Sequence, residues 1–137
     1  MLLTTPLKPF FALSLLLAFL FSPLSLADEE APQAAYVELN PDFIVNYTTT
    51  SSRLKYIKTR ITLQTDTANE GIIQDNMPLI RDALVIFLSS RTDEQVSGAQ
   101  AREKTREEAA TAINAAMKEE TNQEPVKGVL FASFLTQ

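Results

Sequence analysis

An α+β domain is predicted, with a small, mostly antiparallel sheet and two helices packed on one of its faces. Three features of the 137-residue sequence lead there. Apolar side chains alternate between residues 35 and 65, recur at steps of three and four from Ile73, and return in an apolar, strand-like stretch at residues 126–137. The resulting order is strand, strand, helix, helix, strand, without an internal repeat.

Residues 1–27 read as an export segment. Lys8 is the only charged side chain before Asp28, and residues 10–21 (FFALSLLLAFLF) are almost wholly apolar. Small residues at Ser25 and Ala27 then precede Asp28-Glu29-Glu30, the pattern of a signal peptide cut after Ala27. Pro23 breaks the apolar helix just ahead of that site. The alternative is an uncleaved anchor: the charge-free stretch 9–27 would reach about 28 Å as a helix, against a hydrocarbon core of about 30 Å. Lys8 inside and the acidic run outside export the bulk of the chain in either case. Residues 28–35 (DEEAPQAA) form a short acidic linker, and the domain spans residues 36–137.

In the first strand, residues 35–48, Val37, Leu39, Phe43 and Val45 share one face. Pro41 in its middle predicts an edge strand, or two short pieces joined by a bend. After a Thr/Ser-rich connection, the second strand (53–65) points Ile57, Ile61 and Leu63 one way and Tyr56, Lys58, Arg60, Thr62 and Gln64 the other. The pair suggests a hairpin.

The first helix carries a stripe of Ile73, Met77, Ile80, Leu84 and Phe87, which Leu79, Ala83 and Ile86 widen, so burial on more than one side is expected. Pro78 belongs in a first turn capped by Asp75 or Asn76, or else kinks a helix begun near Gly71. Residues 97–100 (SGAQ) carry a capping-box signature for the second helix, whose small-residue face comprises Ala101, Thr105, Ala109, Ala112, Ile113 and Ala116. Lys104 and Glu108 can pair across one turn. On the last strand, strict alternation puts Leu130 and Phe134 on one face and Val129, Phe131 and Leu135 on the other. A strand apolar on both sides is central in a covered sheet or buried in a partner.

Composition narrows the chemistry. There is no cysteine and no histidine, which removes thiol nucleophiles, disulfides, most zinc or copper sites and the commonest acid–base group at neutral pH. Net charge is -5, and cleavage after Ala27 would leave 11 basic against 17 acidic side chains, which argues against nucleic acid. Three separated glycines build no phosphate loop. Glu107-Glu108 and Glu119-Glu120 are adjacent on helices and diverge. Serines lack a histidine, and no Ser-x-x-Lys motif occurs. Asn46-Tyr47-Thr48 matches a glycosylation sequon. Lys55, Lys58 and Arg60 give a basic strand face that is either solvated or set against acidic lipid headgroups. Arg81-Asp82 is a local ion pair or a polar contact between subunits. A non-enzymatic protein-binding domain is expected, with no cofactor, metal or small-molecule substrate.

Taken together, these segments resemble the flagellar basal body-associated protein family FliL. The resemblance runs through Tyr36-Val37-Glu38-Leu39 with Pro41 and Phe43-Ile44-Val45-Asn46, then Arg53-Leu54-Lys55-Tyr56-Ile57-Lys58 and Ile61-Thr62-Leu63. It continues in Pro78-Leu79-Ile80-Arg81-Asp82-Ala83-Leu84 and Leu88-Ser89. Arg102-Glu103-Lys104 and Arg106-Glu107-Glu108 lie where the family has a Gly-Lys-Glu-x-Leu-Arg-Glu-Glu run. Val129-Leu130-Phe131, Phe134 and Gln137 match its closing strand. The resemblance implies a stomatin/prohibitin-like fold on the periplasmic side of the bacterial inner membrane, assembled as a homo-oligomeric ring. It further implies support or tuning of the flagellar stator proteins, and so of rotation, swimming and chemotaxis. Pro78, Arg81, Asp82, Arg106, Glu107, Phe131, Phe134 and Gln137 are the motif or interaction candidates it singles out. The alternative function is a free periplasmic protein-binding module with no motor role.

Overall fold

Alternating burial along the first two strands sets the architecture. A computed structural model of the chain describes residues 30–137; the export segment at 1–27 and the first two linker residues lie outside the described residues. β1 (Ala34–Asn46) and β2 (Tyr56–Asp66) pair antiparallel, and β3 (Gly128–Thr136) pairs antiparallel with β2, giving the order β1-β2-β3. Four helices follow β2: α1 (Glu70–Asp75), α2 (Met77–Ser89), α3 (Asp93–Val96) and α4 (Ala99–Thr121). The fold is α+β, with a three-stranded antiparallel sheet.

The inner faces of β1 and β2 bury Val37, Leu39, Phe43, Val45, Ile57, Ile61 and Leu63, as their alternation requires. Pro41 does interrupt β1, which is an edge strand. Leu39 pairs with Ile61 and Phe43 with Thr59, so a four-residue step faces a two-residue one. The excess is even, which keeps Leu39 and Phe43 on the same face across the irregularity. Thr59 is fully buried among these apolar groups, where its Oγ1 donates to the Ser133 carbonyl at 2.6 Å.

β3 departs from its sequence reading in two ways. It lies at an edge, with β2 as its sheet neighbour, and is not a central strand. Its alternation also breaks: Ser133 pairs with Arg60 but Phe131 with Ile61, which leaves Ala132 as an extra residue. One extra residue reverses which way every later side chain points. Phe134 therefore joins Val129 and Phe131 on the helix-covered face, and Leu135 joins Leu130 on the solvent face.

The single first helix expected from periodicity is two segments that break at Asn76. Pro78 sits in the first turn of α2 with Asn76 as N-cap, so its missing N–H costs no helical bond. Ile80, Leu84, Phe87 and Leu88 are buried, whereas Val85 is 42% and Ile86 62% exposed. Of the residues expected to widen the stripe, Leu79 packs partly against the core and Ala83 is half-buried, whereas Ile86 is left out.

The capping box belongs to α3, where the Thr92 N–H donates to Gln95 Oε1 at 3.0 Å. The Ser97 hydroxyl instead donates back to the Asp93 carbonyl (2.6 Å), and Gly98, at φ 85°, caps α4. Thr105, Ala109, Ile113 and Met117 form the buried stripe of α4 at steps of four. Asn122 ends that helix in the left-handed conformation. Among the described residues no helix is long and apolar enough to cross a membrane.

Candidate functional site

The candidate residues fall into separate neighbourhoods. Pro78, Arg81 and Asp82 lie on α2, beside β1. Pro78 and Asp82 are exposed and Arg81 is half-buried. The Arg81 guanidinium stacks over the Phe43 ring at 4.2 Å to its centroid, and Arg81 Nη1 is buried without a hydrogen-bond partner. Neither Arg81 nor Asp82 enters an ion pair among the described residues. Consecutive helical residues point about 100° apart, so the local pair is not made.

Arg106, Glu107, Phe131 and Phe134 gather where α4 covers β3. Arg106 Nε donates to Glu103 Oε2 at 3.0 Å, Nη2 donates to Glu103 Oε1, and Nη1 reaches the Val129 carbonyl at 3.2 Å. The hydrogen bond with Glu103 raises the Arg106 pKa and lowers that of Glu103. Phe131 and Phe134 stack at 5.0 Å between centroids, with Arg102 over Phe134 at 5.8 Å. This meeting of the two rings depends on the bulge at Ala132. A groove of about 370 Å³ runs past them, and a second of about 560 Å³ opens beside Arg106, Glu107 and Lys127. Both are open and lined by mixed charges, unlike the enclosed, mostly apolar pockets that hold small molecules.

Gln137 stands apart from both groups. Its backbone exchanges both hydrogen bonds with Tyr56 (2.8 and 3.0 Å), and the Tyr56 hydroxyl donates to its Oε1 at 2.6 Å. The end of the described chain is thereby pinned to the start of β2.

The basic strand face is not a shared patch. Arg60 pairs with Asp42 (3.0 Å) and Glu38 (3.8 Å), while Lys55 precedes β2 and contacts Asp93 at 2.9 Å. Hydrogen bonding to Asp42 raises the pKa of Arg60. With two of its three cations neutralised locally, this face is weak as a headgroup contact.

Sequence reasoning missed Asp93 and Asn114. Asp93 accepts hydrogen bonds from Lys55 Nζ, Thr49 Oγ1 (2.7 Å) and Tyr47 Oη (3.1 Å), tying the β1–β2 loop to α3. Hydrogen bonds from Lys55 and then Thr49 lower its pKa; burial, followed by the bond to Asp93, raises that of Tyr47. The Thr92-x-x-Gln95 box was a sequence sign of a helix start here. Asn114 holds the approach to β3: its Nδ2 donates to the Val126 carbonyl (2.7 Å), and its Oδ1 accepts the Val126 N–H (3.0 Å). Mid-helix asparagine has no local signal for such a role.

Two comparisons with known proteins agree with this picture. The family model described as "Flagellar basal body-associated protein FliL" matches residues 36–137. The flagellar protein FliL of Aquifex aeolicus (strain VF5) is 29% identical over 103 residues, which cover 73% of this chain and 60% of that relative. The chain thus spans about 60% of the length of the curated relative it matches. With the family model covering all but the first two residues of the sheet, and every helix that follows, the chain belongs to the FliL family of flagellar basal body-associated proteins.

Proposed function

We propose that this protein is a non-enzymatic accessory of the flagellar basal body, acting on the periplasmic side of the inner membrane. It self-associates into a ring and supports or tunes the stator units that drive rotation. The family match over residues 36–137 carries this reading. Two features of the surface support it. The described grooves are open and mixed in charge, and large apolar side chains are exposed on both outer strands and on α2, as protein contacts require.

In-frame deletion in the native host should slow swimming most under viscous load, and the restored chain should recover it. A fluorescent fusion should co-localise with basal bodies. Ser25 and Ala27 ahead of the acidic run favour a second reading, a cleaved and diffusible periplasmic binding module. Unchanged swimming together with a dispersed, soluble mature chain beginning at Asp28 would select that alternative.

A further inference from the structure

On the self-association reading above, we propose that copies join head to tail through their two sheet edges. β1 of one copy lies beside β3 of the next, and α2 of the first lies beside α4 of the second.

The outer face of the sheet carries large apolar side chains on both edge strands, with the β1 carboxylates Glu38 and Asp42 paired to Arg60 of the middle strand. Its middle strand carries Tyr56, Lys58, Arg60, Thr62 and Gln64. Its edges carry Tyr36 (56% exposed), Ile44 (67%), Leu130 (37%) and Leu135 (58%). Ile44 and Leu135 are both level with Lys58 of β2, so a sideways joint sets Leu135 beside the neighbour's Ile44 and lessens the exposure of both.

The backbone is poised for the same contact. Tyr56 and Gln137 exchange both hydrogen bonds, so by antiparallel alternation Phe134 and Thr136 turn their amides and carbonyls to the open edge. The bonds from Thr67 to Gln33 (2.9 Å) and from Tyr47 to Lys55 (3.2 Å) fix the phase of β1, which turns those of Tyr36, Glu38 and Ile44 outward. Among the described residues, no hydrogen bond from outside the sheet reaches these five backbones. β1 and β3 both run antiparallel to β2, so a copy displaced sideways adds a parallel pair.

Charges beside the edges are complementary. Next to β1, Asp82 is exposed and unpaired among the described residues. Next to β3, Arg102 is exposed and pairs with no carboxylate among the described residues, whereas Glu103 is paired with Arg106. The joint offers the neighbour's Arg102 to Asp82. A symmetric β3–β3 contact would instead bring two Arg102 side chains together. Two different edges make the contact heterologous, the kind that closes rings.

The chain has no cysteine, so disulfide trapping in cells tests the joint directly. The full-length chain carries Ile44→Cys with Leu135→Cys; Glu38→Cys with Leu130→Cys probes the same register, and Tyr36→Cys with Leu130→Cys the neighbouring one. After copper–phenanthroline oxidation of intact cells, at least one pair should give a ladder of dimers, trimers and higher species on a non-reducing gel. Each single cysteine variant should stay monomeric. Dimers from single variants, or monomers from all three pairs, would overturn the proposal. In the pair that gives the ladder, Arg102→Asp should reduce it roughly fivefold and adding Asp82→Arg should restore it. A swap that restores nothing would overturn the α2–α4 contact. The gel is independent of swimming: a ladder in cells that swim normally without the protein supports the joint and removes the motor role. Impaired swimming on deletion with no ladder does the reverse.

Discussion

Replacing Asn114 by alanine isolates what holds β3 to the helical layer. The amide makes two hydrogen bonds to the backbone of Val126, a residue only 4% exposed that leads into the last strand. Leaving a buried N–H and a buried C=O without partners costs about 1–3 kcal/mol each. Two effects reduce the sum. Alanine is the better helix former by up to about 0.7 kcal/mol. In addition, Asn114 and Val126 both line the open 560 Å³ groove, from which water can reach the vacated groups. The expected net loss is therefore about 2 kcal/mol. Urea unfolding followed by far-ultraviolet circular dichroism measures it, with an unchanged slope showing that the native fold persists. Asn114→Asp sharpens the test, because it keeps the acceptor for the Val126 N–H but sets a carboxylate against the Val126 carbonyl. Burial beside that carbonyl raises the introduced carboxyl's folded pKa. The deficit is then full above that value and shrinks as pH falls and the acid becomes a donor. A loss below about 0.5 kcal/mol for the alanine variant would refute the idea that this amide anchors β3.

Phe87→Ala should cost about 3–5 kcal/mol, since the ring is buried at 9% exposure and lies under the Arg91 guanidinium at 4.1 Å; a loss below about 1 kcal/mol would remove Phe87 from the core. Gly98→Ala should lose about 1–3 kcal/mol in the same urea assay through backbone strain alone, since φ is +85° and nothing lies within 4 Å of an added Cβ. Lys55, then Thr49, lower the pKa of Asp93 below its ordinary value of 3.8, so its stabilising contribution is present above that value and fades as pH falls through the lowered one. Asp93→Asn should therefore reduce stability at pH 7 and flatten the acid limb of the urea midpoint between pH 5 and about 2; an unchanged acid limb would exclude Asp93 as its source.

Much of this molecule was legible in its residues alone. Alternation assigned the inner faces of β1 and β2, because a strand with one buried face repeats every two residues. That reading survived Pro41, where the register gains an even number of residues. It failed at Ala132, where the excess is one and the faces exchange. A bulge is a matter of register against the neighbouring strand, and nothing in residues 128–136 alone announces one. Stripe periodicity likewise located α2 and α4, but whether Ile86 is covered depends on what packs alongside. The ordered blocks also carried the family resemblance.

Tertiary structure decided the site. It stacked Arg81 on Phe43, brought Phe131 and Phe134 together beneath Arg102, and engaged Asn114 and Asp93 in contacts between elements. Apart from the Phe131–Phe134 pair, which the bulge at Ala132 creates, each such contact joins groups distant in sequence, whereas local propensity acts only over neighbouring positions. The edge position of β3 has the same origin: composition marks a strand as apolar on both faces, and only strand order determines whether a neighbour covers it.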